Sequence, residues 1–216
     1  METFTEGVSD THTERDNSNI SSRDIQRCLP GEYSLKHRII IGGFGGQGIL
    51  FFGKILAHAG MLEGKEVTWF PSYGAEVRGG TASCTVIISD ELIGSPVVMN
   101  PDTLVVMNDA SLEKFQPRLK PDGLLLFDSS LIKDTSLRTD IKVVAVPATG
   151  RASKIGNTKS ANMVLLGAFI AKTRLLKETS LLKALESSTP ANRNKSIEQN
   201  KKAIHKGIEY IEDTKD

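Results

Sequence analysis

Two kinds of hydrophobic pattern alternate over most of the chain: short apolar or β-branched runs, and longer apolar stretches with helical spacing. The short runs predict strands at 38–42, 67–70, 81–89, 91–98, 103–107, 124–127 and 143–146. The longer stretches predict helices at 49–62, 111–119, 160–176, 180–187 and 197–211. Strands that alternate with helices favour an α/β fold, here a three-layer sandwich around a largely parallel, Rossmann-like sheet.

Glycine and proline mark several of the predicted ends. Gly64 follows the first helix, where a residue without a Cβ readily ends a helix. Pro71 is expected to stop the strand at 67–70, and Pro147 the strand at 143–146. Both expectations rest on the missing N–H of proline, which cannot be donated to a neighbouring strand.

Residues 1–36 differ in composition from the rest of the chain. Ser, Thr, Asp, Asn and Glu dominate, and the few apolar residues follow no period. Such a segment buries too little apolar surface to offset the entropy lost on ordering. We therefore expect a flexible polar extension over 1–36 and a single domain over 37–216. The alternative for the extension is a docking arm that becomes ordered against a partner.

Composition and charge disfavour several functional classes. Charged residues make up 25% of the 216 residues and hydrophobic ones 39%, and the formal net charge is only +1. Nothing in this balance favours nucleic acid as a partner. The longest strongly apolar run, 163–171, is far shorter than the roughly 20 residues that span a bilayer, and the N-terminus has no apolar signal-like core. We expect a cytoplasmic protein without a membrane partner.

The two cysteines, Cys28 and Cys84, lie far apart in the sequence and form no CxxC pair. A zinc site or a thioredoxin-like motif is therefore not expected. An iron–sulfur cluster normally takes about four thiolates, so this chain cannot hold one alone. No nucleophile stands in a recognisable arrangement with a base. The sequence thus predicts no catalytic residue and no metal site in this chain.

A glycine-rich turn lies between the first strand and the first helix, with the sequence Gly43-Phe44-Gly45-Gly46-Gln47-Gly48. Its glycines allow a tight turn and a close backbone approach, and the helix N-terminus offers unpaired N–H groups to a phosphate. The spacing matches a dinucleotide fingerprint, but the second strand, which ends Trp69-Phe70-Pro71-Ser72, lacks the expected acidic residue. Classical NAD or FAD binding is therefore disfavoured, and the other interpretations are a different phosphate-bearing ligand, or close packing of strand and helix without a ligand.

A second motif follows the second predicted strand, and its sequence is Pro71-Ser72-Tyr73-Gly74-Ala75-Glu76-Val77-Arg78-Gly79-Gly80-Thr81-Ala82. In this order and separation, the two motifs resemble the gamma subunit or gamma domain of 2-oxoacid:ferredoxin oxidoreductases. Further stretches that agree with the family are Ile93-Gly94-Ser95-Pro96, Pro101-Asp102, Pro121-Asp122-Gly123-Leu124-Leu125 and Ala161-Asn162-Met163-Val164-Leu165-Leu166-Gly167-Ala168. Since each motif follows a strand, a parallel sheet would bring both to the same carboxyl edge.

The form of the second motif indicates a substrate class. Arg78-Gly79-Gly80-Thr81-Ala82 resembles the version in 2-oxoglutarate and branched-chain 2-oxoacid enzymes, whereas pyruvate enzymes more often have a second arginine and a Gly-Ala-Pro sequence. Ala75 and Val77 depart from the proline and methionine usual in the family but keep the apolar character. The resemblance therefore implies the 2-oxoglutarate type, with the branched-chain type as the alternative.

The resemblance also implies a division of roles among subunits. Alpha and beta subunits hold thiamine diphosphate and magnesium, iron–sulfur clusters on partner subunits pass electrons to ferredoxin, and a delta subunit completes the set. Coenzyme A takes the acyl group, and the gamma part helps to seat coenzyme A and packs the assembly. This chain is then inactive alone. The residues implied in ligand binding are Gly43, Gly45, Gly46, Gln47, Gly48, Tyr73, Arg78, Gly79, Gly80 and Thr81.

Several of these residues have a structural alternative to ligand binding. Arg78 either contacts a phosphate of coenzyme A or pairs with Glu76 or a carboxylate of the alpha subunit. Gln47 either donates to a ligand oxygen or ties the helix start to a neighbouring loop, and Tyr73 either stacks on adenine or fills an interface pocket. Asn162 is expected to cap its helix. For the whole chain, the alternatives are a free-standing Rossmann-type nucleotide-binding protein and a purely structural assembly subunit.

Overall fold

Helices cover both faces of a mixed sheet in the computed structural model, which describes residues 34–73, 81–133, 136–190 and 194–214. The strands are β1 (Lys36–Phe44), β2 (Glu66–Tyr73), β3 (Thr81–Ser89), β4 (Thr103–Val106), β5 (Leu124–Asp128) and β6 (Lys142–Val146). The α-helices are α1 (Ile49–Leu62), α2 (Asp109–Phe115), α3 (Ala148–Lys154), α4 (Ala161–Thr173), α5 (Glu178–Ser188) and α6 (Asn194–Asp213). Short 3₁₀ helices at Gln116–Arg118 and Thr158–Ser160 follow α2 and precede α4.

The strand order across the sheet is β2-β3-β1-β4-β5-β6. β1, β4, β5 and β6 form a parallel block, whereas β3 runs antiparallel to both of its neighbours, β1 and β2. The predicted α/β sandwich with a largely parallel sheet is confirmed, with one antiparallel strand between the first two strands of the chain. An antiparallel β3 follows from the short connection of residues 74–80, because a parallel return needs a crossover of a dozen or more residues.

Alternate residues of the central strands enter two separate hydrophobic cores. Ile39 and Ile41 of β1 face the larger core, beneath α1, α3, α4, α5 and α6, and Ile40 faces the smaller core beneath α2. Helix α1, which follows β1, and helix α2, which follows β4, therefore lie on opposite faces. Adjacent parallel strands whose helices diverge in this way leave a crevice at their carboxyl ends, where α/β proteins commonly bind ligands.

Helix α4 is buried along most of its length and crosses α6 at very close range. A Cβ added to Gly167 would lie 2.0 Å from the Ile204 carbonyl oxygen, and one added to Gly207 would lie 1.9 Å from the Val164 carbonyl oxygen. Each glycine thus faces the backbone of the opposite helix, and the absence of a Cβ allows this approach. The crossing anchors the C-terminal helix to the larger core.

The strand predicted at 91–98 is wrong. The segment is irregular, and Leu92 and Val97 are 79% and 62% exposed. Both sides of β3 are already paired, so a chain that leaves β3 finds no free ladder beside it. The segment crosses the face of the sheet instead, where Thr85 Oγ1 donates to the Pro96 carbonyl oxygen at 3.4 Å.

Two further differences concern proline and a short helix. Pro71 does not end β2, which continues to Tyr73. The prediction fails because β2 is an edge strand. On such a strand, the side that faces away from β3 forms no ladder, so a proline there costs no hydrogen bond between strands. The sequence also does not predict α3, since Ala148–Lys154 has no apolar period. Gly64, with φ of +72°, follows the end of α1 as predicted.

The predicted extension, 1–36, lies outside the described residues except for its last three positions, so its boundary stays a prediction. Lys36 already begins β1. Leu35 exchanges two hydrogen bonds with Asp90: its N–H donates to Oδ2 at 3.1 Å, and its carbonyl accepts the Asp90 N–H at 2.9 Å. The described fold therefore includes residues just before the predicted boundary.

Candidate functional site

The glycine turn joins β1 to α1 at the crevice between β1 and β4. Gly46 and Gly48 have φ of +96° and +75°, which residues with a Cβ rarely adopt. Gly48 is also the N-cap of α1. Because glycine has no side chain, no capping side chain occupies the first N–H groups of the helix from this position. The first N–H groups of α1 have no carbonyl partner within the helix, and the helix dipole adds partial positive charge there. This geometry suits an anion.

The Gln47 side chain makes hydrogen bonds to the backbone on both sides of the glycine turn. Its Oε1 accepts the Phe44 N–H at 2.6 Å, and its Nε2 donates to the Met107 carbonyl oxygen at 3.0 Å. The Gln47 N–H also donates to the Phe44 carbonyl oxygen at 3.2 Å. Gln47 therefore ties the start of α1 to Met107, the residue that follows β4. This is the structural alternative stated for Gln47 in the sequence analysis.

Asn162 holds the turn from the opposite side. Its side chain is 4% exposed, and its Nδ2 donates to the Gly48 carbonyl oxygen at 3.0 Å. A Cβ on Gly48 would lie 2.3 Å from that nitrogen, so only glycine leaves room for the contact. Asn162 is not the N-cap of α4, which is Ser160, although its Oδ1 accepts the N–H of Met163 at 3.0 Å. The predicted capping role of Asn162 is therefore wrong, and its amide instead holds the Gly48 carbonyl.

The described ends of the second motif lie at the same edge of the sheet as the glycine turn, as predicted. In the ladder between β1 and β3, Phe44 is paired with Thr81, and in the ladder between β2 and β3, Tyr73 is paired with Ala82. The ends of the 74–80 connection therefore lie beside the glycine turn. Arg78, Gly79 and Gly80, and the side chains of Tyr73 and Thr81, lie outside the part of the chain that the structure describes, so their roles stay predictions.

The order of the strands disfavours a dinucleotide fingerprint. In that fingerprint the strand after the glycine-turn helix lies beside the first strand and carries the ribose-binding acid. Here β3 separates β2 from β1, which places β2 about 9–10 Å from β1 at the usual strand spacing. The parallel neighbour of β1 is β4 instead. The missing acidic residue at the end of β2 is therefore consistent with the topology.

Asn108 and Ser111, which the sequence analysis did not single out, form the other wall of the crevice. Asn108 follows β4, is 5% exposed and is the N-cap of α2, since its Oδ1 accepts the Ser111 N–H at 2.7 Å. The Asn108 Nδ2 and the Ser111 Oγ are both buried without a hydrogen-bond partner among the described residues. An N-cap residue directly after an apolar strand was the available signal for Asn108.

Asp128 is a buried carboxylate near this edge, but its hydrogen bonds are structural. It follows the last apolar residue of β5 and is fully buried. Its Oδ1 accepts the Ser130 N–H at 3.0 Å, and its Oδ2 accepts the Thr149 N–H at 3.1 Å and the Thr149 hydroxyl at 2.6 Å. Asp128 therefore fixes the start of α3 to the end of β5.

Two groups with shifted pKa values lie away from the crevice. Burial raises the pKa of the Cys84 thiol to about 12, and Cys84 Sγ donates to the Ile49 carbonyl oxygen at 3.5 Å. A thiol of this kind stays protonated at neutral pH and is a poor nucleophile. Burial also lowers the pKa of His37, whose Nε2 lies 2.9 Å from Thr103 Oγ1 at the opposite edge of the sheet.

The polar groups at the crevice are backbone N–H groups, an amide and a hydroxyl, which suit an oxyanion better than a metal cation. Among the described residues, no group of three or more His, Cys, Asp or Glu side chains is placed to hold a metal ion. Across the same ranges, no helix has the length and apolar character needed to cross a membrane.

Comparison with known families gives a match over most of the chain. The sequence profile of the family described as pyruvate ferredoxin/flavodoxin oxidoreductase matches residues 38–210. This range begins within β1 and ends within α6. It includes both the glycine turn and the connection between β2 and β3.

Individual relatives are similar over about four fifths of the chain. Ketoisovalerate oxidoreductase subunit VorA of Methanothermobacter thermautotrophicus is 40% identical over 174 residues, which are 80% of this chain and 36% of VorA. The chain thus spans about a third of that relative. 2-Oxoglutarate synthase subunit KorC of Methanocaldococcus jannaschii is 36% identical over 182 residues, 83% of this chain and 96% of KorC. The structure of a keto/oxoacid ferredoxin oxidoreductase gamma subunit from Geobacter sulfurreducens has a TM-score of 0.71 and 32% identity, and covers 82% of this chain and 99% of that one.

Proposed function

Because the chain belongs to the pyruvate ferredoxin/flavodoxin oxidoreductase family, in its gamma-type form, we propose that it is the gamma subunit of a 2-oxoglutarate:ferredoxin oxidoreductase. The complex converts a 2-oxoacid and coenzyme A to acyl-CoA and carbon dioxide, and two electrons pass to ferredoxin. Thiamine diphosphate, magnesium and the iron–sulfur clusters belong to alpha, beta and delta partner subunits. This chain contributes to coenzyme A binding and to assembly, and it has no activity alone.

The observation that supports the proposal is that the glycine turn and the described ends of the second motif lie at one edge of the sheet. The glycine turn lies at the crevice between β1 and β4, and Phe44 at its start is paired with Thr81 at the end of the 74–80 connection. The N-terminus of α1 favours a phosphate by about 0.3–1 kcal/mol per charge, and by up to roughly 2 kcal/mol when the phosphate is partly buried. A bidentate contact from Arg78 adds on the order of 1.5–3 kcal/mol.

The choice of 2-oxoglutarate is supported by the KorC relatives and by the second motif. KorC of Methanocaldococcus jannaschii, a 2-oxoglutarate synthase subunit, is 36% identical over 83% of this chain. Arg78-Gly79-Gly80-Thr81-Ala82 also has the form of the 2-oxoglutarate and branched-chain enzymes. Activity of the assembled complex with 2-oxoglutarate and with ketoisovalerate separates the two substrates, and a preference for ketoisovalerate would replace this part of the proposal.

An assembly role is supported by apolar surface beside the smaller core. Phe70 and Val97 are 50% and 62% exposed and line a cleft of about 300 Å³ with Phe115 of α2. Met99, two positions after Val97, is 68% exposed. Large apolar side chains grouped in this way on a protein surface mark a contact with another chain.

The decisive experiment is the Arg78→Lys variant of the assembled complex. Lysine keeps the charge but lacks the planar fork of arginine, so the KM for coenzyme A should rise about tenfold, as a loss of roughly 1.4 kcal/mol implies. The KM for the 2-oxoacid should stay unchanged, because the thiamine site lies on other subunits. Arg174→Lys is the matched control, since Arg174 is exposed at the opposite end of α4 from Asn162.

Gel filtration of the same variant distinguishes the alternatives. If Arg78→Lys loses subunits while the coenzyme A kinetics of the surviving complex stay normal, Arg78 is an interface anchor and its ligand role is wrong. If the purified single chain reduces ferredoxin, the division of roles among subunits is wrong.

A further inference from the structure

Two buried polar atoms close to the glycine turn have no hydrogen-bond partner among the described residues. They are the Asn108 Nδ2 and the Ser111 Oγ, on residues that are 5% and 0% exposed. Folded proteins satisfy most buried donors, because a buried polar group without a partner loses its hydrogen bonds to water. Such a group in a crevice is explained when a ligand supplies the missing partner.

Both residues are coupled to the glycine turn through short contacts. Met107 directly precedes Asn108. Its N–H donates to the Gly42 carbonyl oxygen at 3.0 Å, and its carbonyl oxygen accepts a hydrogen bond from the Gln47 Nε2 at 3.0 Å. The Ser111 Oγ lies 3.1 Å from the position that a Cβ on Gly42 would occupy. Both residues thus lie beside the end of β1 that leads into the glycine turn.

The capping role of Asn108 accounts for its oxygen but leaves its nitrogen unexplained. Oδ1 accepts the Ser111 N–H at 2.7 Å, a bond that aspartate would make equally well. The amide nitrogen is therefore the part of the side chain for which a function outside the fold is needed.

The charges of α2 are arranged so that an anion is not repelled. Asp109 and Glu113 line a separate cleft together with Gln116 and Ser136, whereas Ser111 and Phe115 are the residues beside Gly42. The acidic side chains of α2 thus face away from the crevice. What remains at the crevice is a neutral amide, a hydroxyl and the positive end of the α1 dipole.

We propose that Asn108 and Ser111 are ligand-binding residues that donate hydrogen bonds to a phosphoryl oxygen of the ligand held at the glycine turn. The proposal rests on the proposed function, which makes that ligand coenzyme A. The ligand then receives hydrogen bonds from two side-chain donors that follow β4 and from the backbone N–H groups at the start of α1. A phosphoryl group accepts from both walls because its oxygens point in several directions.

Asn108→Asp in the assembled complex tests this directly. The substitution keeps the capping oxygen and replaces the amide donor with a carboxylate oxygen, which repels a phosphate. Calorimetric titration with coenzyme A should show a Kd raised about tenfold or more, as expected for exchanging a charge-assisted hydrogen bond for repulsion. The melting temperature should also fall, because a buried carboxylate oxygen without a donor replaces the neutral amide nitrogen, so the Kd and not the stability is the readout for this variant. Asn194→Asp, at the exposed start of α6, adds the same charge elsewhere and should change neither value.

Ser111→Ala is the second variant, and it introduces no charge. It should raise the Kd for coenzyme A about threefold without lowering the melting temperature, since the hydroxyl has no partner in the fold. Titrations with 3′-dephospho-coenzyme A and with inorganic pyrophosphate show which phosphoryl group is contacted. The effect of Asn108→Asp disappears for the probe that lacks this group.

Several results would overturn the proposal. If both variants bind coenzyme A as tightly as the wild type while Arg78→Lys weakens binding, the inference fails and the proposed function stands. If both variants lose thermal stability at unchanged Kd, the polar atoms are structural. If the wild-type complex does not bind coenzyme A at all, the proposed function fails, and this inference fails with it.

Discussion

The crossing of α4 and α6 predicts a large effect from adding one methyl group. In Gly167→Ala, the new Cβ would lie 2.0 Å from the Ile204 carbonyl oxygen, whereas real Cβ contacts below 3.0 Å essentially do not occur. The helices must therefore separate by about 1 Å, and a gap of that size forfeits roughly a quarter to a half of the dispersion energy of each contact. Val164 and Ile204, both fully buried, lose contacts in this way.

The magnitude follows from two opposing effects. Overpacking of this kind costs about 3 kcal/mol or more, and alanine returns about 1 kcal/mol through its better helix propensity. The free energy of unfolding should then fall by about 2 kcal/mol, which lowers the melting temperature by roughly 4–8 °C in a domain of this size. Gly207→Ala should behave alike, because its Cβ would lie 1.9 Å from the Val164 carbonyl oxygen.

Urea denaturation followed by circular dichroism measures this effect, with Gly94→Ala as the matched control. A Cβ on Gly94 meets nothing within 4 Å, so its unfolding free energy should change by less than about 0.5 kcal/mol. The double variant of Gly167 and Gly207 should cost less than the sum of the single variants, because one separation of the helices relieves both overlaps. Single variants as stable as the wild type would refute the close crossing.

Two further predictions concern groups with shifted pKa values. With Cys28 replaced by serine, Cys84 should react with iodoacetamide at about pH 8 at least about 10³-fold more slowly in the folded chain than in urea, because burial raises its pKa from 9.0 to about 12; equal rates measured by mass spectrometry would contradict this. Burial lowers the pKa of His37 below its ordinary value of 6.5, so the unfolded chain binds the proton first. The contribution of His37 to stability is therefore complete above about pH 6.5 and is lost as the pH falls. Urea midpoints at about pH 7.5 and about pH 5.5 should show a smaller decrease for His37→Asn than for the wild type, and equal decreases would count against the burial effect.

Features set by neighbouring residues could be predicted from the sequence. Helix α1 has the predicted bounds, Ile49–Leu62, because an apolar stretch between a glycine turn and Gly64 specifies its own start and end. The glycine turn itself was also predictable, since Gly46 and Gly48 supply the positive φ values that the turn requires. The family resemblance could be established in the same way, because both motifs are continuous in sequence.

The pairing of the strands depended on contacts that the sequence does not display. The 91–98 segment has a strand-like composition, yet it forms no strand because β1 and β2 already occupy both sides of β3. Pro71 lies within a strand because β2 is at the edge of the sheet, and edge position is a property of the whole sheet. Local propensity is a weak guide wherever the available partner decides the outcome.

The walls of the candidate site were decided almost entirely by tertiary structure. Gln47 and Met107 are 60 positions apart, and Asn162 and Gly48 are 114 positions apart, yet each pair is joined by a hydrogen bond of 3.0 Å. Asn108 shows only a capping signal in the sequence, and its unpartnered nitrogen becomes visible once α2 is packed against β1. The sequence alone therefore determined most of the elements, the glycine turn and the family. Which side chains face the crevice was determined by packing, because contacts between distant residues form only when the chain folds.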